Sequence, residues 1–136
     1  MNAATTKLRL RLTTAVCGAW FALAAHGAGL GGLTVQSALG QPLSVEIDVI
    51  SLQADEFARV LARIASPDEY ATAKLVYTPL LRQLRITPEH QKDGQTILKI
   101  TSIAPVNEPT LELLVEFNWR GGRLLQKYSV LLDPPK

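Results

Sequence analysis

The sequence predicts a mainly β protein: a small antiparallel immunoglobulin-like β-sandwich carrying a helical insertion of one amphipathic helix and one short helix. Three observations carry this expectation. Apolar and polar residues alternate over residues 43–49 and again, with Leu114 the one exception, over residues 111–119, the signature of strands with one buried face. Between them, residues 55–66 change to a helical period. Turn-forming residues punctuate the rest, and the resulting order is two strands, a helical insertion and four more strands.

The elements follow in chain order. A short strand over residues 33–37 leads through Leu39-Gly40-Gln41-Pro42, a turn, into a strand where Leu43, Val45, Ile47 and Val49 alternate with Ser44, Glu46 and Asp48. In "DEFARVLARIAS" the apolar Phe57, Val60, Leu61 and Ile64 fall at i, i+3, i+4 and i+7, which predicts an amphipathic helix. Ser66-Pro67-Asp68-Glu69 has the form of a capping box with proline at the first helical position, and so starts a second, short helix. "LRITPE" and "TILKITS" read as strands joined by a turn at Lys92-Asp93-Gly94. Leu111, Leu113, Val115, Phe117 and Trp119 then line one face of a strand that turns at Gly121-Gly122, where positive φ angles suit a tight hairpin. That turn sets Trp119 opposite Leu124, Phe117 opposite Gln126, Val115 opposite Tyr128, Leu113 opposite Val130 and Leu111 opposite Leu132. On the other face it pairs Glu116 with Lys127. Trp119, Gly121, Gly122 and Tyr128 are therefore expected to be structural, with Trp119 packed between the sheets.

The N-terminus reads as an export signal. Lys7, Arg9 and Arg11 precede the uncharged "LTTAVCGAWFALAA", and small residues cluster at "AHGAG". Cleavage after Gly27 satisfies the small-x-small pattern through Ala25 and Gly27; cuts after Ala24 or Ala28 are alternatives. Residues 1–27 are thus expected to be a signal peptide and residues 28–136 a single domain in the periplasm. Some fourteen apolar residues fall short of the ~20 that a spanning helix needs, and the mature chain carries no membrane span. Cys17 lies inside the apolar stretch after Val16, so it does not fit a lipoprotein site and leaves with the signal. Its departure leaves no cysteine for a disulfide. Of the 14 Lys and Arg, three go with the signal while all 12 acids remain, so the net charge changes from +2 to −1. That balance gives no footprint for nucleic acid.

Catalytic material is sparse. His90 is the one histidine left after cleavage, and flanking Glu89 and Asp93 make only a weak metal site. Asp55-Glu56 and Asp68-Glu69 stand at helix starts, where acids offset the helix dipole. "GAGLGG" lacks the Lys-Ser/Thr of a phosphate loop and reads as a flexible lead. The expectation is a protein without enzymatic activity, cofactor or metal. Asn107 and Glu108, bracketed by Pro105 and Pro109 in "APVNEP", form a stiff polar connection and are the candidate protein-binding residues.

"GLGGLTVQSALGQPLSVEIDVIS", "ASPDEYATA", "PVNEPTLELLVEFNW" and "GRLLQKYSVLLDPP" together resemble the N-terminal periplasmic domain of the FimV family of pilus-assembly and polar-landmark proteins. The resemblance covers the mature chain and carries over no catalytic residue. It implies a non-enzymatic assembly module for type IV pilus biogenesis, twitching motility or type II secretion. The implied partners are envelope proteins of a pilus or secretion system, a secretin-type component among them. Full-length members continue into a peptidoglycan-binding LysM module, a transmembrane helix and an acidic cytoplasmic region. None follows Lys136, so the chain is expected to act as a stand-alone form with no peptidoglycan-binding module of its own, or to be a truncated product. A second reading is a chaperone-like sandwich that lends a strand edge to secreted subunits.

Overall fold

A computed structural model describes residues 28–135. The expected signal peptide at 1–27, Cys17 within it, and Lys136 lie outside the described residues. Among the described residues there are seven strands: β1 (Gly29–Val35), β2 (Pro42–Ile50), β3 (Leu61–Ile64), β4 (Arg85–His90), β5 (Thr96–Pro105), β6 (Thr110–Trp119) and β7 (Gly122–Leu131). One α-helix, α1 (Pro67–Thr72), and two 3-10 turns, Ala54–Arg59 and Pro79–Gln83, lie between β2 and β4. One sheet runs β1-β2-β5-β4 and the other β3-β6-β7, with every pairing antiparallel. Lettered in sequence order, this is the ABED and CFG arrangement of a constant-type immunoglobulin domain.

The core lies between the sheets. Leu43, Val45, Ile47 and Val49 of β2 and Leu98 and Ile100 of β5 face Leu111, Leu113, Val115 and Phe117 of β6. The alternation in both blocks has become the two inner faces, as the period-two pattern requires.

The expected amphipathic helix over residues 55–66 is helical only in its first half. Ala54–Arg59 is a 3-10 helix, and Leu61–Ile64 is a strand on the edge of β6. The same residues satisfy both periods: Phe57, Val60, Leu61 and Ile64 make a helical stripe, while Val60, Ala62 and Ile64 alternate. The edge of β6 decides between them, since its backbone groups need partners and a helix offers none. Ala62 turns into the core, and Leu61, 59% exposed, turns out. The short helix does form, with the Ser66 side chain accepting from Glu69 N–H at 3.2 Å and the Glu69 carboxylate accepting from Ser66 N–H at 3.3 Å. The glycine-rich lead is also corrected, because β1 begins at Gly29 and pairs with β2 through a bulge between Leu30 and Leu33.

The closing hairpin keeps its faces but shifts its register by two residues. Arg120-Gly121 form the turn, so Trp119 pairs with Gly122, Phe117 with Leu124, Val115 with Gln126, Leu113 with Tyr128 and Leu111 with Val130. Neither Gly121 nor Gly122 has a positive φ. Glycine is needed there for space: a Cβ on Gly121 would lie 2.7 Å from Trp119 Nε1. Trp119 is half-buried at the hairpin tip, stacked on Phe117 with ring centroids 5.3 Å apart, and is not enclosed between the sheets. Tyr128 ties the sheets together by donating its hydroxyl to the Gly31 carbonyl at 2.6 Å. Burial first, and Asp48 second, push that phenol up to about 12.

Candidate protein-contact site

Asn107 and Glu108 sit on the connection between β5 and β6, at the end of the sandwich where the chain also turns from β1 to β2. Four backbone bonds hold this end. Gly40 N–H donates to the Val106 carbonyl at 2.7 Å, and Val106 N–H to the Gln41 carbonyl at 3.0 Å. Leu132 N–H donates to the Pro109 carbonyl, and Leu39 N–H to the Asp133 carbonyl, each at 2.8 Å. Gly40 makes the first contact with φ +87°, a conformation that favours glycine. Val106 is buried as the anchor of the loop, whereas Asn107 and Glu108 point outward and are exposed. Short polar residues on so firmly held a backbone suit recognition.

Ser102 supports the same end from inside. Its buried hydroxyl accepts from Leu43 N–H at 2.8 Å and donates to the Ala104 carbonyl at 2.7 Å, where the β2–β5 register slips between Pro42 and Ser44. The sequence gives no local sign of this role, because the partner Leu43 is 59 residues away.

Beside Glu108 opens a groove of about 410 Å³. One side of its lining is Lys74, Leu75, Val76, Thr78 and Leu81, with Val76 79% exposed, and the other is Glu108 with Thr110, Leu111 and Glu112 of β6. Tyr70, fully buried, lies along β6: its hydroxyl donates to the Glu112 carbonyl at 3.0 Å and accepts from Leu114 N–H at 2.8 Å. Burial raises the Tyr70 pKa above the ordinary phenol value.

On the outer face of the β3-β6-β7 sheet stands an ionic cluster. Glu116, 4% exposed, accepts from Arg63 and Arg123, each at 3.2 Å, and from the Asn118 amide at 2.7 Å. Asn118 does most to hold the Glu116 carboxyl down at about 2, Arg123 and Arg63 add to it, and burial opposes them. Arg123 also pairs with Glu69 of the capping box. The expected Glu116–Lys127 pair is absent because the register shift puts Leu125 opposite Glu116; Lys127 reaches Glu112 at 4.0 Å.

His90 lies apart from these groups, its Nδ1 3.4 Å from Thr96 Oγ1 and its ring against Phe57. Among the described residues no three His, Cys, Asp or Glu side chains converge as a metal site would require, and no helix is long and apolar enough to cross a membrane. Asp55-Glu56 and Asp68-Glu69 do lie in the first turns of their elements.

These features define a seven-stranded immunoglobulin-like domain that presents a clamped polar loop next to an open groove. The chain belongs to the FimV N-terminal domain family, an Ig-like domain whose model matches residues 28–135. Two curated relatives, both called motility hub protein FimV, come from Pseudomonas aeruginosa strains PAO1 and UCBPP-PA14. Each is 42% identical over 111 residues, which is 82% of this chain and 12% of the relative, so the chain spans a small part of their length. Among solved structures, the BIgI domain of the beta protein from S. agalactiae bound to CEACAM1 gives a TM-score of 0.39 at 11% identity, over 79% of this chain and all of that one.

Proposed function

We propose that the domain is a non-enzymatic protein-contact module of the periplasm that serves motility by helping to assemble a pilus or secretion-system component of the envelope. The observation that carries this reading is the family match across residues 28–135, with relatives named as motility hub proteins. The geometry supports a contact role: Asn107 and Glu108 are exposed on a loop whose backbone is held by hydrogen bonds. A secretin-type ring component is the partner class to test first.

Asn107→Ala combined with Glu108→Ala is expected to leave the thermal melt nearly unchanged and to weaken capture of the ring component from envelope extract. A much lower melt makes the loop scaffold, and equal capture by a well-folded variant places the contact elsewhere. Intact mass and fractionation check the compartment, with a mature chain starting at Ala28 in the periplasmic fraction as the expected result. Strand lending from β7 has less support. Arg123 and Lys127 stand along that edge and Tyr128 ties it to Gly31, features that oppose strand addition.

A further inference from the structure

The groove beside Glu108 has unpaired backbone along one wall. In a β-strand the N–H and C=O of one residue point to the same side, and successive residues point to opposite sides. Leu114 turns both groups toward β3 and α1: its N–H donates to the Tyr70 hydroxyl, and its carbonyl accepts from Ala65 N–H at 2.8 Å. Two residues earlier the Glu112 carbonyl points the same way, to Tyr70. Parity therefore aims Glu112 N–H, Thr110 N–H and the Thr110 carbonyl away from β7 and into the groove. Among the described residues, none of these three groups has a protein partner.

We propose that this groove binds an extended segment of a partner protein as a short added strand, with an apolar residue against Val76 and a lysine or arginine against Glu108. The inference rests on the contact-module reading and names how that contact is made. An extended peptide fits because it presents N–H and C=O groups in the alternation that the open edge lacks. Charge complementarity selects the basic residue. Glu108 is exposed and makes no ion pair among the described residues, whereas Glu112 is engaged by Ser129 and Lys127. Lys74 on the far wall disfavours a second basic residue there. The site is short because Tyr70 closes it at Leu114, leaving the edge open from Thr110 to Glu112.

The test pans random dodecapeptides displayed on phage against the full chain, then resynthesises enriched peptides with single backbone N-methyl groups. Enriched sequences are expected to combine apolar and basic positions. N-methylation should weaken binding at least tenfold at alternate positions and leave the intervening ones unaffected. Val76→Asp should abolish binding and Glu108→Lys should favour acidic peptides, both with unchanged melts because these side chains are exposed. Failure to enrich any peptide, N-methyl effects without alternation, or binding that survives both substitutions overturns the added strand. If the Asn107 and Glu108 variant still loses the ring component in that case, the contact-module reading stands and only the mode of contact fails. Self-association through the groove, seen as a dimer lost in Val76→Asp, also overturns the proposal.

Discussion

In Tyr70→Phe the fully buried ring stays and only its oxygen is removed. Two backbone groups of β6 lose their partner, and they lose it unequally. Leu114 N–H is enclosed beneath α1, so it becomes a buried donor without an acceptor, at a cost of about 1–3 kcal/mol. The Glu112 carbonyl borders the open groove and regains water, so it adds only part of the ~0.5–1.5 kcal/mol of an ordinary hydrogen bond. The expected total is about 2–3 kcal/mol. For a domain of this size that corresponds to a melting point lower by roughly 10 °C. Urea unfolding should show a reduced midpoint with an unchanged slope. Tyr77→Phe is the matched control: its ring packs edge-on against Tyr70, but its hydroxyl makes no hydrogen bond among the described residues. It should cost less than about 0.5 kcal/mol. If Tyr70→Phe is as mild as Tyr77→Phe, the hydroxyl does not stand in for a strand and the reasoning fails.

Three further outcomes follow from the hairpin and its ionic cluster. Because the folded pKa of Glu116 is lowered to about 2, its contribution is present above the usual carboxylate range and lost as pH falls from about 4.5 toward 2. Discounting for the half-exposed arginines, stability should drop by about 1–3 kcal/mol across that window, and Glu116→Gln should flatten the profile. Trp119→Ala should cost about 1–3 kcal/mol, below the ~3–5 kcal/mol of a fully enclosed ring, since the indole is half-buried on Phe117. Gly121→Ala should cost about 1 kcal/mol in the parent and almost nothing in the Trp119→Ala background, because the indole is what its Cβ would meet. Additive costs would show that the glycine answers to backbone conformation instead.

Much of the fold was legible in sequence because alternation marks buried faces directly. Leu43 to Val49 and Leu111 to Phe117 became the two walls of the core. The capping box at Ser66 was legible because all its partners lie within three residues. The β3 strand was not, since residues 60–64 satisfy two periods and the deciding bonds come from β6, over 50 residues away. The hairpin register failed for a subtler reason. Two glycines allow two placements of a two-residue turn, both of which keep the same face inward, so hydrophobic pattern alone does not separate them. Asn107 and Glu108 could be picked out by their flanking prolines, whereas the groove beside them is assembled from Lys74, Val76, Thr78, Leu81 and β6 and has no local signature.

β6 links these observations, because its two edges are satisfied in different ways along one strand. Toward β7 it pairs throughout, from Thr110 to Trp119. On the opposite side its partner changes: β3 serves Asn118 to Val115, Ala65 serves the Leu114 carbonyl, and the Tyr70 hydroxyl serves Leu114 N–H and Glu112. The chain cannot continue β3 past Ser66, since Pro67 starts α1 and directs it away from the sheet. A side chain then replaces the strand for one step, and beyond it no group among the described residues does. The open edge is thus a consequence of where the capping box falls, and it lies next to a loop whose polar residues are held outward by backbone bonds from two directions. Moving the helix start two residues later would extend β3 across Leu114 and displace Tyr70. The local rule that starts a six-residue helix therefore sets how much of β6 is left for a partner.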